Sequence, residues 1–337
     1  MGAAGHPEDN IVKALITGGT GFVGSHVARA LAAAGHTVRV LHRPTSRLDA
    51  LDGLPFESAL GDILDADSLR AACAGCDWVF HVAAVADYWR ADTARLFKAN
   101  VDGTRLVLEA ARSAGVRRVV FTSSAAAVGP RDDGRPADES EPFNLPPERF
   151  PYGYSKVLAE QVVREAAAAG LDAVIVNPVI VLGPGDLNMI SGSYITQVKK
   201  FGPLVPVTSG GISVVDVRDV ARMHLAAAER GRSGERYLLG AANLPHRDWY
   251  ALIAEVVGAR RPFFPTPDWA LPPVAAAIDL ARRLGIQTPV DSNQVRLGGR
   301  FIYFDFSKAW GELGQPQVTM RQSVEDTYRW YQARGYV

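Results

Sequence analysis

Two periods of apolar residues take turns along the first half of the chain. Short apolar runs near 12–17, 37–42, 56–60, 77–82 and 117–122, with another over 173–177, read as buried strands. The stretches between them, 22–34, 66–73, 92–113 and 152–169, carry apolar residues at helical spacing. Strands that alternate with amphipathic helices pair in parallel and take helices on both faces, which predicts an α/β fold with a doubly wound parallel sheet. Such sheets bind ligands at the C-terminal ends of their strands. Beyond residue 177 the rhythm gives way to Gly183-Pro-Gly185, Gly192, Gly202-Pro203, Gly210-Gly211 and proline punctuation over 262–273. The expectation is a sheet domain over 1–177 and, over 178–337, mainly a smaller substrate-binding lobe with segments that return to the sheet domain. The Pro-, Asp- and Gly-rich stretch 128–151 predicts a long loop.

The first run ends in Gly18-Gly-Thr20-Gly21-Phe22-Val23-Gly24, and a helical stretch follows at once. A strand that turns on glycines into a helix leaves backbone N–H groups pointing outward, backed by the positive end of the helix dipole, which suits a diphosphate. One glycine permits the turn, one lets the diphosphate approach the backbone, and one packs helix on strand. Gly19-x-Gly21-x-x-Gly24 fits the dinucleotide fingerprint, and Gly18-x-x-Gly21-x-x-Gly24 fits a wider-spaced variant. The competing reading is a glycine turn with no ligand.

Charge and composition narrow the classes. The 337 residues are 47% hydrophobic, and 36 Lys plus Arg balance 36 Asp plus Glu, so no net field recruits nucleic acid or an anionic membrane. No apolar run is long enough to cross a bilayer, and Met1 to Asn10 lacks the regions of a signal peptide, so the expectation is a cytoplasmic protein. Cys73 and Cys76 form one C-x-x-C at a helix end, and nothing completes a metal set around it, so the pair reads as packing.

In a dinucleotide fold, an acidic residue closing the second strand would bind the adenosine ribose and favour NAD. Here that strand ends His42-Arg43-Pro-Thr45-Ser46-Arg47, with Arg43 lying 19 positions past Gly24. A guanidinium there pairs with a 2′-phosphate, and Arg47 adds a donor, so NADP is the expected cofactor with NAD as the alternative. The competing reading has Arg43 stacked on adenine or turned to solvent. Asp62 and Ile63 are placed near the adenine, and Val82, Ala83 and Ala84 beside the diphosphate and ribose. Small residues there also arise simply from packing.

Tyr152-Gly-Tyr154-Ser-Lys156 opens a helix, and its i, i+4 spacing sets Tyr152 and Lys156 on one face. Lowering a tyrosine by about three pH units takes roughly 4 kcal/mol. One cation at about 4 Å, with an effective dielectric near 20, supplies about that much. The fifth strand ends in Thr122-Ser123-Ser124-Ala125, which brings hydroxyls to the same sheet edge. A serine there can hold a substrate oxygen while Tyr152 protonates it. Turn capping is the competing role for either serine.

Together these motifs resemble an extended short-chain dehydrogenase/reductase with a Rossmann domain, of the NAD-dependent epimerase/dehydratase group. The resemblance runs from the glycine loop through Gly61-Asp62, His81-Val-Ala-Ala84, Asn100-Val-Asp-Gly-Thr104 and Tyr152-x-x-x-Lys156 to Val215-Asp-Val-Arg-Asp-Val220. It implies Ser124 as the catalytic serine, Tyr152 as the acid–base group, Lys156 as its partner and Asn100 as the residue steadying the site. It places Thr122 and the backbone of Asn177-Pro178-Val179 beside the nicotinamide. Leu41 to Arg47 and Val176 to Pro184 look most like the dihydroflavonol 4-reductase branch. The nucleotide-sugar branch usually has an arginine and an asparagine where this chain has Asn177 and Ile180, and a pocket tyrosine where it has Ala127. The expected activity is therefore NADP-dependent hydride transfer between nicotinamide and a ketone, aldehyde or secondary alcohol. The rivals are a sugar epimerase or dehydratase, a 3β-hydroxysteroid dehydrogenase-like enzyme, and an NAD(P)-sensing binding protein without chemistry. Tyr88, Trp89, Ser124 and Tyr194 are expected to line an apolar or aromatic substrate pocket, with lobe packing as the other role for the aromatic residues. The helices over 92–113 and 152–169 resemble a pair that forms a homodimer interface in the family.

Overall fold

The computed structural model describes residues 11–86, 92–187, 189, 191–286, 288 and 290–337. The expected pocket residues Tyr88 and Trp89 lie outside them. Six strands follow the predicted runs closely: β1 Lys13–Thr17, β2 Thr37–His42, β3 Glu57–Leu60, β4 Trp78–His81, β5 Arg118–Thr122 and β6 Ala173–Pro178. After β7 Ile180–Leu182, β8 Pro206–Val207 and β9 Gly211–Asp216 comes β10 Arg236–Leu239, which rejoins the first sheet. All seven strands of that sheet are parallel, in the order β10-β6-β5-β4-β1-β2-β3. The order reverses between β1 and β4, so the crevice expected of a Rossmann sheet opens beyond Thr17 and His81.

Alternation along each strand feeds two apolar layers. Ile16, Val120, Val174 and Val176 face one side, in a cluster with Val27 and Leu31 of α1 Phe22–Ala33 and with Ala226 and Ala227, while Leu15, Val119, Phe121 and Ile175 face the other, in a cluster with Leu69 and Ala72 of α2 Ala66–Cys73 and with Ala159 and Val163. Burial on both faces explains why these strands read as continuous apolar runs. The helix expected over 92–113 is present but divided. It runs as α3 Thr93–Phe97, a π-helical turn Lys98–Asp102, and α4 Gly103–Ser113. The predicted helix over 152–169 is α5 Pro151–Ala168. After α6 Ser193–Phe201, α7 Val217–Arg230 packs against α1 on the first face.

The remaining chain builds a smaller lobe. Strand β11 Ala242–Pro245 runs antiparallel to β9, which pairs in parallel with β7. Leu182, Ile195, Ile212, Val214, Trp249 and Ile253 form this lobe's own core, the last two on α8 His246–Val257. A short parallel pair joins β8 to β12 Phe264–Pro265. The helices α9 Leu271–Arg283, α10 Ser292–Leu297, α11 Ser307–Glu312 and α12 Met320–Ala333 complete the fold. Among the described residues, no helix is long and apolar enough to cross a membrane.

Candidate active site

The loop after β1 divides its work among four glycines. Gly18 has φ +72°, and a Cβ there would lie 2.6 Å from the backbone nitrogen of Ala83, so this position turns the chain against the end of β4. A Cβ on Gly24 would lie 2.2 Å from the Gly18 carbonyl oxygen, which fixes how closely α1 approaches the loop. Gly19 packs on Val40, whereas a Cβ on Gly21 would meet only the Gly18 carbonyl, at 3.3 Å. The Gly18, Gly21, Gly24 spacing thus carries the turn, the exposed approach and the close packing. Gly21 is the N-cap of α1 and no side chain caps that helix, so the first-turn N–H groups of Phe22, Val23 and Gly24 point at the approach side. Thr20 is half-buried beside them.

A buried chain of hydrogen bonds runs from this loop to α5. The Thr17 hydroxyl accepts from the Ala83 N–H (3.3 Å) and lies 2.7 Å from His81 Nδ1, while His81 Nε2 lies 3.0 Å from Thr104 Oγ1. Thr104 donates its one hydroxyl proton to the Asn100 carbonyl at 2.6 Å. It therefore accepts from His81, which carries its proton on Nε2 and takes the Thr17 proton on Nδ1. Burial pushes the His81 pKa down to about 3, and the Lys156 charge pushes the same way, so the ring is neutral. Asn100 lies in the π-helical turn, the kind of local widening often found at functional sites. Its amide accepts from Val85 N–H and donates to the Val85 carbonyl and to Ser155 Oγ (3.0 Å), which in turn donates to the Tyr152 carbonyl. Asn100 thereby clamps the segment after β4 to the first turn of α5.

Ser124, Tyr152 and Lys156 meet where β5 and α5 come together. Gly153 makes this possible, because a Cβ there would lie 2.5 Å from the Ala126 carbonyl oxygen in the turn that follows Ser124. Ser124 and Tyr152 are each 6% exposed. Ser124 Oγ accepts from the Ala126 N–H (3.1 Å), so it caps the turn that follows β5. The Lys156 ammonium is buried and donates to the Thr122 carbonyl at 2.8 Å, with the Phe121 ring 5.0 Å away. Burial lowers its pKa to about 8, against the opposing pull of Glu160. The ammonium is thus charged below about pH 8 and loses its charge above it. The Thr122 hydroxyl donates to Nε2 of buried His224, whose Nδ1–H donates to the Val220 carbonyl.

Glu160 is a residue that sequence reasoning missed. One turn beyond Lys156, it is fully buried and accepts from Ser123 Oγ and Asn177 Nδ2, each at 2.6 Å. Arg164 and Arg236 balance its charge at 3.2 Å. Asn177 also donates to the Ser124 carbonyl at 2.9 Å, so Glu160 anchors the serine strand through it. The i, i+4 spacing from Lys156 was the available signal, but a carboxylate at that spacing is usually a solvated helical partner.

The sequence profile of the NAD dependent epimerase/dehydratase family matches residues 14–240. A candidate dihydroflavonol 4-reductase of Synechocystis is 39% identical over 332 residues, covering 96% of this chain and 95% of its own. Sterol demethylase protein B of Methylococcus capsulatus is 34% identical over 329 residues, covering 96% and 99%. In solved structures, a nucleoside-diphosphate-sugar epimerase from Pseudomonas aeruginosa superposes with a TM-score of 0.80 at 31% identity, covering 96% and 99%. The chain belongs to the NAD dependent epimerase/dehydratase family. It is an extended short-chain dehydrogenase/reductase, an oxidoreductase that binds NAD(P) and acts on a small molecule.

The loop fits that family's dinucleotide, since Gly21 leaves an exposed face at an uncapped helix start that any Cβ would narrow. Around it, the remaining expected residues sort unevenly. Val82, Ala83 and Ala84 follow β4 half-buried against the glycine loop. Asp62 caps its own turn, accepting from Leu64 N–H at 2.9 Å, and Ile63 packs where a Cβ on Gly103 would sit. Pro178 ends β6 on the same sheet edge, and Val179 follows it. Arg43 is exposed and has no carboxylate partner among the described residues, whereas Arg47 is ion-paired to Asp49. The Asn177 side chain is held by Glu160 and Ser124, because a buried amide must find partners, and its backbone stays at the sheet edge with Pro178. Half-buried Tyr194 packs with Trp249 and Tyr250, ring centroids 6.4 and 6.2 Å apart, against the second lobe's core. Cys73 and Cys76 are free and buried, and burial pushes the Cys73 thiol up to about 12, so both serve as core.

Proposed function

We propose that this protein is an NADP-dependent reductase of an apolar or aromatic ketone or aldehyde, working equally on the secondary alcohol in reverse. The observation that carries the reading is the end of β6. Where the nucleotide-sugar branch presents polar side chains, Asn177 is consumed by Glu160 and Ser124, and Ile180 packs into the apolar core of the second lobe. Neither side chain is left to recognise a sugar diphosphate. The reductase and sterol-related names of the relatives support the same direction.

Phe22, Val23 and Gly24 would hold the cofactor diphosphate through their N–H groups, Arg43 the 2′-phosphate, and Lys156 the nicotinamide ribose. When bound, the nicotinamide supplies the hydride. Tyr152 gives its hydroxyl proton to the carbonyl oxygen as negative charge develops there. Ser124 Oγ–H donates to the same oxygen and fixes its direction. The Lys156 ammonium keeps the Tyr152 proton mobile below about pH 8, where it is charged. Asn100 and Glu160 hold the two halves of this constellation in register. Pairing of two copies along α4 and α5 belongs to the same reading.

Wild-type enzyme is expected to consume NADPH steadily in the presence of aromatic ketones and aldehydes, and to prefer it clearly over NADH. Arg43→Ala raises KM for NADPH by about 10- to 100-fold, the loss of one charge-assisted phosphate contact, and leaves KM for NADH unchanged. A wild-type preference for NADH sinks the NADP assignment.

A further inference from the structure

The charge balance of the whole chain conceals a local imbalance on the second lobe. Helix α9 turns Leu271 and Ala275 inward, with Ile278 and Arg282 half-buried at the same helical spacing. The opposite face presents Pro273, Val274, Ala277, Leu280 and Leu284, all exposed. A surface helix normally turns polar residues to water, so a helix apolar on both faces calls for a covering. Its single acid, Asp279, is bridged to Arg296 at 2.8 Å. The apolar surface extends past both ends of the helix. Trp269, in the turn that runs into α9, is 76% exposed, and Ile286 beyond it is 56% exposed. Pairing of Phe264 with Pro206 joins exposed Phe263 and Phe264 to the segment carrying exposed Phe201 and Leu204. Isolated apolar side chains on a surface are ordinary, whereas a continuous face of aromatic and aliphatic residues marks an interaction site.

Basic residues are interleaved with this face. Lys199, Lys200, Arg260, Arg261 and Arg283 are all exposed. The acids Glu255, Asp279 and Asp291 are taken by Arg321, Arg296 and Arg282, Asp268 accepts from Ser209 Oγ at 2.5 Å, and Lys199 donates to the Val257 carbonyl at 3.0 Å, which leaves Lys200, Arg260, Arg261 and Arg283 without a carboxylate partner among the described residues and outnumbering the one unpaired acid. We propose that this face docks on an anionic phospholipid bilayer. Trp269, Phe263, Phe264 and the outer face of α9 enter the headgroup region, and Lys200, Arg260, Arg261 and Arg283 meet lipid phosphates. A second copy is the poorer occupant, because an isologous interface would bring the same unpaired cations of the two copies together. The proposal concerns docking on the surface, without a spanning segment, and stands apart from the choice of substrate.

Flotation with vesicles tests it, using phosphatidylcholine alone and phosphatidylcholine with about 30% phosphatidylglycerol. The full chain is expected to float with the anionic vesicles and to be released by about 0.5 M salt, which screens the phosphate contacts. Arg260→Glu with Arg261→Glu, and separately Phe264→Glu with Trp269→Glu, lower the vesicle-bound fraction about tenfold. Both pairs are exposed, so the thermal midpoint and turnover with a water-soluble carbonyl compound stay at the wild-type level. Failure of the wild type to float with anionic vesicles overturns the proposal, as does equal flotation of both double variants. A concentration-dependent dimer that Phe264→Glu with Trp269→Glu dissociates, with no vesicle binding, also overturns it and assigns the face to a second copy.

Discussion

Tyr152→Phe lowers kcat for carbonyl reduction by about 10³-fold, within the range expected when a positioned proton donor is removed. The substitution deletes one hydroxyl and keeps the ring, which lies 6% exposed on the first turn of α5. Ser155 still reaches the Tyr152 carbonyl, and Asn100 still reaches Ser155, so the helix keeps its place. The loss therefore falls on kcat, while affinity for NADPH, followed by quenching of tryptophan fluorescence, stays within about twofold of the wild type. Wild-type turnover in the Tyr152→Phe variant would remove this tyrosine from the chemistry and leave the glycine loop as a binding site only.

The second large effect is on stability in mild acid. Burial holds His81 at about 3 and His224 and His246 at about 4, against an ordinary value of 6.5. Their folded values are depressed, so each ring is neutral in the native protein while the unfolded chain takes up its proton below about 6.5. Stability from these groups is complete above pH 6.5 and is lost as pH falls through that value towards 4. Three protons taken up on unfolding make the slope about 4 kcal/mol per pH unit in that window. Two pH units then remove most of the stability of an ordinary domain. Urea unfolding between pH 7 and pH 4.5 measures this, and His224→Gln is expected to flatten the slope by about one third. A midpoint that stays level down to pH 4.5 would contradict the neutral, buried assignment of the three rings.

Much of this architecture was legible because local chemistry and global fold agree. The apolar runs sit on strands buried on both faces, and Gly18 and Gly24 have no room for a Cβ, so the βαβ unit and the close approach of β5's end to the start of α5 could be read directly. What escaped depends on partners far away in the chain. Lys98–Asp102 has ordinary helical residues, and its π-helical turn accompanies hydrogen bonds that Asn100 makes to Val85 and Ser155. Glu160 resembles a surface carboxylate until Arg236, 76 residues on, arrives beside it. Arg47 pairs with neighbouring Asp49 on the surface, a contact that the residue types around it did not announce. The outward apolar face of α9 was invisible in a whole-chain charge balance, because 36 against 36 says nothing about which residues share a surface.

Glu160 and Asn100 give the site its rigidity from opposite sides. Asn100 ties α5 to the segment after β4, and Glu160 ties it to β5 and β6 through Ser123 and Asn177. Three strand ends and one helix are thereby fixed around the place where a carbonyl would react. Placement of this kind accounts for a large share of what an enzyme adds to a bimolecular step.

Net reduction of a carbonyl compound at this site leaves an isotopic mark on the product. The direct measurement uses NADPH deuterated at the transferring position of the nicotinamide, with an aromatic ketone as substrate and mass spectrometry of the product. The account predicts a secondary alcohol carrying one deuterium on its carbinol carbon, formed one for one with NADPH oxidised and absent with Tyr152→Phe. Conversion of a nucleotide sugar without net oxidation of NADPH, with ketones left untouched, would contradict it.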